Sequence, residues 1–243
     1  MNRVVEEFDR AADTYEESSS VQRDIAARLV EFIGNSKPEN ILEIGCGTGN
    51  LTRKLAAKFP NANIVATDAS PRMLNQAKEY VQDGNVSLAH FHLDDKSILD
   101  QDWNLVISNM TFQWLENPIA VAHHLLKRCQ QLVFSLPVAG TFQNWIDAHQ
   151  NLGLKSGVRE FVHFDELENS IRSISPDSRI ECLPFAENYS NAIQFIRHLK
   201  NIGGSTPRPG HSCVNLRPVI AQFLRGIKVT YQIALVDAKA DES

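Results

Sequence analysis

Three glycines at alternating positions, Gly45-Cys46-Gly47-Thr48-Gly49, follow the apolar run Ile41-Leu42-Glu43-Ile44 and precede Leu51, Leu55 and Phe59 at helical spacing. A strand that enters a glycine loop and leaves as a helix presents bare backbone and helix N–H groups to a ligand. A dinucleotide fingerprint would place a glycine where Asn50 stands, so the loop departs from that pattern. No GxxxxGK loop and no GxSxG elbow occurs, which removes the P-loop and α/β-hydrolase readings. Asp68 lies at the end of the next apolar run, where a carboxylate accepts both hydroxyls of a ribose. Asp94 and Asp95 follow a third run, placed to meet an adenine amino group. Asn109 ends a fourth, in the same carboxyl-end crevice where open α/β sheets bind ligands. Each residue alone reads as an ordinary loop position. Together they read as one site.

The elements that must position these groups follow from periodicity. Val4, Phe8, Ala11 and Tyr15 share one helical face, and Val21, Ile25, Leu29 and Phe32 share another, with Ser18-Ser19-Ser20 as the break. After Pro38, strands are expected at residues 40–45, 64–67, 86–92, 105–108 and 131–135, separated by helical stretches. Ser70-Pro71 and Asn117-Pro118 supply an N-cap followed by proline at the first helical position. Such alternation makes a parallel sheet covered on both faces. Beyond Pro137 helices are expected at 164–174 and 192–200, an extended stretch at 179–183 and a terminal strand at 229–236. No linker divides the 243 residues, so one domain is expected.

Composition limits the function. The net charge of −5 is a poor match to nucleic acid, and no apolar run approaches the ~20 residues of a membrane span. The opening residues are polar and acidic, where a secretory signal places a basic end and an apolar run. Cys46, Cys129, Cys182 and Cys213 are widely spaced, which suits reduced thiols in the cytoplasm. His90, His92, His123 and His124 form no ligand set with metal spacing, so no metal is expected. Residues 190–236 contain no Asp or Glu and carry Arg197, Lys200, Arg208, Arg217, Arg225 and Lys228, a candidate anion-binding surface.

Over residues 38–137 the constellation resembles the class I S-adenosylmethionine-dependent methyltransferases. The resemblance implies a Rossmann-like, seven-stranded, mostly parallel α/β sheet with an antiparallel last strand. It implies S-adenosyl-L-methionine as cofactor, with Gly45, Cys46 and Gly47 on its methionine part and Asp68 on the ribose. Asp94 and Asp95 would meet the adenine, flanked by Ala69 and Met73, while Glu43 orients the glycine loop.

Further segments narrow the likeness. Phe8-x-Arg10-Ala11-Ala12-x-x-Tyr15 with Val21-Gln22 is similar to the N-terminal lid of the malonyl-acyl-carrier-protein O-methyltransferases of biotin synthesis. Ser108-Asn109-Met110-x-Phe112-Gln113-Trp114 and Leu199-Lys200-x-Ile202-Gly203-Gly204 resemble later motifs of that family. Asn104 stands where the family carries aspartate, and Gly204-Ser205-Thr206-Pro207 where it carries Ala-Thr-His. The likeness implies a helical lid over 1–36, a cofactor core over 38–137 and substrate-side insertions with the final strands over 138–243. Its acceptor would be malonyl-acyl carrier protein, or malonyl-CoA. Other readings are a methyltransferase for a small carboxylate such as trans-aconitate, and a silent methyltransferase-like interaction protein.

A malonyl carboxylate is already ionised near neutral pH, so no general base is needed and no catalytic acid or base is assigned. Tyr15, Gln113 and Trp114 are read as positioning groups, with Tyr15, Gln22 and Asn109 also at the cofactor. Arg197, Lys200 and Arg208 are the cations expected to meet the acceptor, with Arg197 or Arg208 forked onto its carboxylate.

Overall fold

The computed structural model describes residues 2–91, 101–212 and 214–240. Asp94, Asp95, His92 and Cys213 lie outside the described residues. Seven strands form one sheet: β1 (Asn40–Ile44), β2 (Asn63–Asp68), β3 (Val86–His90), β4 (Trp103–Asn109), β5 (Cys129–Pro137), β6 (Arg179–Tyr189) and β7 (Ile227–Lys239). Their order is β3-β2-β1-β4-β5-β7-β6. Strand β7 runs antiparallel to both β5 and β6, while the remaining pairings are parallel. The expected mostly parallel sheet with an antiparallel last strand is what the chain forms.

Side-chain alternation explains the layers. Ile41, Ile107, Val133 and Leu235 point into one apolar cluster, whereas their neighbours Leu42, Val106, Leu132 and Val236 enter the other. Both sets are fully buried because helices cover both faces. Helix α1 spans Asn2–Ser18, α2 Ser20–Phe32, α3 Asn50–Lys58, α4 Pro71–Tyr80 and α5 Pro118–Leu126. A 3-10 turn at Phe112–Trp114 follows β4. Helices α6 (Gln143–Gln150), α7 (Phe164–Arg172), α8 (Ala192–Asn201) and α9 (Arg217–Ala221) complete the described set. Ser70 accepts from the Met73 amide and Asn117 from the Ala120 amide, so both expected caps form, each contributing about 1 kcal/mol.

Three features differ from the sequence expectations. Strand β6 continues to Tyr189, six residues beyond the expected extended stretch, because β7 pairs with it along its whole length. Helices α6 and α9 were not anticipated in a region without clear periodicity. The N-terminal helices also differ from one another. Ile25, Ala26 and Leu29 of α2 are wholly buried, and each fully buried Ile or Leu contributes about 1.5–3 kcal/mol. Helix α2 is part of the core, with only its first turn reaching the sheet's carboxyl edge at Asn109, while α1 lies over that edge. Asn104 and Asn40 bond reciprocally, Asn104 Oδ1 accepting the Asn40 amide at 3.0 Å and Asn40 Oδ1 the Asn104 amide at 2.6 Å. A pair of side-chain amides therefore ties β1 to β4.

Candidate functional site

The glycine loop is held by backbone geometry that side chains would block. Gly45 has φ +76°, and a Cβ there would lie 2.1 Å from Thr111 Oγ1. Gly49 has φ +85°, opens α3, and would strike Val81. The Gly45 and Cys46 amides both donate to the Thr67 carbonyl, at 2.8 and 2.9 Å, which folds the loop onto β2. Gly47 N–H then donates to Asp68 Oδ2 at 2.9 Å, and Ser70 N–H to Asp68 Oδ1 at 2.8 Å. Burial raises the Asp68 carboxyl above its usual range, and these backbone donors oppose that shift. Each oxygen keeps a further lone pair for a ligand hydroxyl.

Below this loop lies a cavity of about 100 Å³. Gly45, Gly47, Asp68, Ala69, Met73 and Asn109 line its sheet side, and Val4, Val5, Phe8 and Tyr15 of α1 cover it. The side-chain amide of Asn109 donates to the Gln22 carbonyl at 3.1 Å, and its oxygen accepts from Ser135 Oγ at 2.8 Å. Burial pushes the Tyr15 hydroxyl well above its ordinary range, and the Asp68 and Glu16 carboxylates add to this, so it stays protonated.

A second cavity, of about 290 Å³, adjoins the first. Phe8, Tyr15, Met110 and Trp114 line both, so one wall separates and joins them. Its far side is largely apolar, built from Phe142, Trp145, Phe161, Ile196, Leu199 and Leu216. Met110 (φ 55°) and Phe142 (φ 59°) are the non-glycine residues with left-handed backbone among those described, and both are in its wall. Such strain concentrates at ligand sites. Five residues that line this cavity each hold a buried polar atom without a hydrogen-bond partner among the described residues: Gln22 Oε1, Gln113 Oε1, Trp114 Nε1, Thr206 Oγ1 and Tyr231 Oη. Unsatisfied buried groups cost about 1–3 kcal/mol each, so five in one wall is a concentration of polar strain around this cavity.

Helix α1 joins the two halves. On the first side Asp9 accepts from the Ser70 hydroxyl, Asp13 pairs with Arg72 at 2.6 Å, and Glu16 accepts from Thr48 at 2.5 Å and pairs with Arg53 at 2.8 Å. On the second, Thr14 donates to the Asn201 carbonyl at 3.0 Å and Ser205 to Glu7 at 3.2 Å. Phe8 sits edge-on to Trp114, with ring centres 5.5 Å apart.

Comparison with known proteins decides the family. The methyltransferase domain family matches residues 42–132. The malonyl-[acyl-carrier protein] O-methyltransferase of Priestia megaterium is 32% identical, with 92% of each chain covered. Malonyl-[acyl-carrier protein] O-methyltransferase 1 of Ilyobacter polytropus is 31% identical, over 84% of this chain and 78% of that protein. The chain belongs to the malonyl-[acyl-carrier protein] O-methyltransferase family. The biotin biosynthesis bifunctional protein BioCD of Bordetella avium is 33% identical over 95% of this chain, which spans about half of that longer protein (51%). Among solved structures, the putative methyltransferase bound to the Haloferax volcanii Trm112 activator superposes with TM-score 0.61 at 14% identity, covering 99% and 98% of the two chains. A putative methyltransferase from Bacillus halodurans gives 0.59 at 12% identity, over 88% and 97%. These likenesses show the fold.

Within this family member the expected site residues divide. Tyr15, Gly45, Gly47, Asp68, Ala69, Met73 and Asn109 come together on the smaller cavity. Gln22 does not: it lines the larger one, because α2 approaches from the β4 side. Glu43 and Cys46 do not line the smaller cavity. Glu43 is buried beneath the loop and accepts from Thr52 of α3 at 2.6 Å, and burial pushes its carboxyl up to about 8. The Cys46 thiol is likewise driven up by burial, so it is no thiolate nucleophile.

Gln113, Trp114 and Lys200 line the larger cavity, with Lys200 exposed at its rim. Arg197 is exposed on α8 and lines neither cavity. Arg208 pairs with Glu160 at 2.9 Å instead of reaching inward. Thr206, Tyr231 and Arg159 line the larger cavity and were missed. They sit in loops and a strand distant in sequence, and only Arg159, a cation between Val158 and Phe161-Val162, carried a local signal.

Proposed function

We propose that the protein is an S-adenosylmethionine-dependent O-methyltransferase that esterifies the free carboxylate of a malonyl thioester on acyl carrier protein. The observation that carries this reading is the shared wall at Phe8, Tyr15, Met110 and Trp114, through which the cavity under the glycine loop meets a larger acceptor chamber.

The residues of the smaller cavity fit the methyl donor. A Cβ at Gly45 would collide with Thr111, so the loop keeps its ligand-facing side as bare backbone. Asp68 would take the ribose hydroxyls, Ala69 and Met73 would flank the base, and Tyr15 would close the cavity from α1. When bound, S-adenosylmethionine supplies an electrophilic methyl to which a carboxylate oxygen lone pair bonds, as the carbon–sulfur electron pair returns to sulfur. The carboxylate is already ionised, so the protein's task is placement and exclusion of water. Trp114 and Gln113 form the wall against which the acceptor is held, and α1 seals both chambers through Phe8 and its ionic contacts. The demand for placement is large, since effective molarities for well-oriented groups reach roughly 10⁵–10⁸ M.

A chamber of about 290 Å³ with apolar walls is far roomier than a malonyl group needs, which supports an acceptor that arrives on a long thioester arm. Lys200 at its rim and Arg197, one turn earlier on α8, are exposed cations placed to attract an acidic carrier. Free Cys46, Cys129 and Cys182 fit a reducing, cytoplasmic setting. Labelled methyl donor offered with malonyl-acyl carrier protein, malonyl-CoA and trans-aconitate tests the reading. Preference for the carrier-bound malonyl group is expected. Preference for trans-aconitate would move the protein to the small-carboxylate reading, and donor binding without transfer to any would make it an interaction protein.

A further inference from the structure

The larger cavity contains a cation that no described residue neutralises. Arg159, on the segment between α6 and α7, lies with its guanidinium carbon 5.3 Å from the centre of the Trp114 ring. It lines the acceptor chamber and is half-buried. Among the described residues it has neither a hydrogen-bond nor an ion-pair partner, whereas its neighbour Glu160 is engaged by Arg208 and points to solvent. Desolvation alone pulls its pKa below the usual arginine range, and a guanidinium in a protein stays charged.

A desolvated charge is retained at a cost, and stacking on an indole offsets only part of it. Trp114 is also one of the residues shared with the donor cavity, so the charge sits over the place where the two chambers meet. From this geometry we infer that Arg159 is the residue that binds the acceptor's carboxylate, holding one oxygen while the other faces the donor cavity, with Trp114 fixing the guanidinium plane. This rests on the carboxylate-acceptor reading above, and it replaces Arg197 and Arg208 in that role.

The chemistry sets a distinctive kinetic signature. The reaction joins an anion to a cationic methyl donor, so the carboxylate's negative charge falls as the bond forms. A cation beside it therefore stabilises the ground state at least as well as the transition state, and contributes binding rather than chemistry. Once the ester has formed the product is neutral, its hold on Arg159 is lost, and release is favoured.

The test compares wild type with Arg159→Gln and Arg159→Lys. Steady-state kinetics use malonyl-CoA and malonyl-acyl carrier protein, and calorimetry measures malonyl-CoA and its methyl ester on enzyme saturated with S-adenosylhomocysteine. For Arg159→Gln the expectation is a tenfold or greater rise in KM for both acceptors and kcat within about threefold. Affinity for S-adenosylmethionine should be unchanged, and the wild-type preference for the free acid over the ester should vanish. Arg159→Lys, which keeps charge but neither fork nor stack, should recover part of the KM. An Arg159→Gln enzyme with unaltered KM and undiminished acid-over-ester preference overturns the assignment, as does a variant that loses only kcat, which would mark Arg159 as a prop for Trp114. Wild-type enzyme that binds the methyl donor but neither binds nor methylates a malonyl thioester overturns the carboxylate reading itself, and this inference with it.

Discussion

The Gly47 amide donates to the Asp68 carboxylate at 2.9 Å, tying the loop after β1 to the end of β2. One carboxylate thus shapes the loop and faces the cavity beneath it. Asp68→Ala removes both functions. Calorimetric titration of S-adenosylmethionine should show a loss of about 2 kcal/mol or more, the cost of removing a charged acceptor and leaving its donors unpaired. Undiminished affinity would move the ribose elsewhere.

Gly45→Ala tests the loop's backbone. Its φ of +76° disfavours any side chain, and the new methyl would lie within 3 Å of three Thr111 atoms. The expected outcome is a thermal midpoint several degrees lower and donor binding reduced at least tenfold. Gly84, with open space around it, takes alanine without such a clash and serves as the control.

Glu43 makes stability depend on pH in an unusual direction. Burial raises its carboxyl from the ordinary 4.5 to about 8, so between these values the folded state holds a proton that the unfolded chain has released. Its contribution to stability is present below the unfolded pKa and is lost as pH rises toward 8. Glu43→Gln mimics the protonated acid and should flatten this fall. Denaturant midpoints at pH 5.5 and 8.5 measure it. A wild type and variant that change in parallel across the interval would contradict the burial argument.

The seal formed by α1 responds to acid in the opposite sense. Partial burial alone would raise Glu16, but hydrogen bonds from Thr48 and Arg53 prevail and hold its carboxyl below the usual range. The ionised latch is therefore intact above the ordinary glutamate range and lost as pH falls through the lowered value. Glu16→Gln should raise KM for the methyl donor severalfold and speed amide hydrogen exchange in α1, while exchange in α2 stays slow because its apolar face is buried in the core. Equal loosening of α1 and α2 would make the two helices one cover.

Local rules made half of the site readable. Gly45, Gly49 and the Ser70-Pro71 cap each satisfy a backbone demand that few residues meet, and such demands are written at the position itself. The strand-helix rhythm up to Pro137 was equally plain, since alternation of two buried faces repeats every two residues. The acceptor chamber was not readable in this way. Its wall gathers Gln22, Trp114, Arg159, Thr206 and Tyr231 from five separate segments, and no periodicity links them. Charge counting pointed to Arg197 and Arg208, but a count cannot distinguish an arginine in solvent, or one paired with Glu160, from one folded over an indole. Burial of Glu43 under α3 depended similarly on the contact with Thr52, which sequence spacing did not announce.

The central claim is methyl transfer to a free malonyl carboxylate, and intact-mass spectrometry of the carrier protein reads it directly. Malonyl-acyl carrier protein, incubated with the enzyme and S-adenosylmethionine, should gain the mass of a single methyl ester, and mild alkaline hydrolysis of that ester should abolish the gain. Acetyl-acyl carrier protein, which lacks the second carboxylate, should remain unchanged. A malonyl carrier of unaltered mass beside enzyme that demonstrably binds S-adenosylmethionine, or equal methylation of the acetyl carrier, would contradict the account.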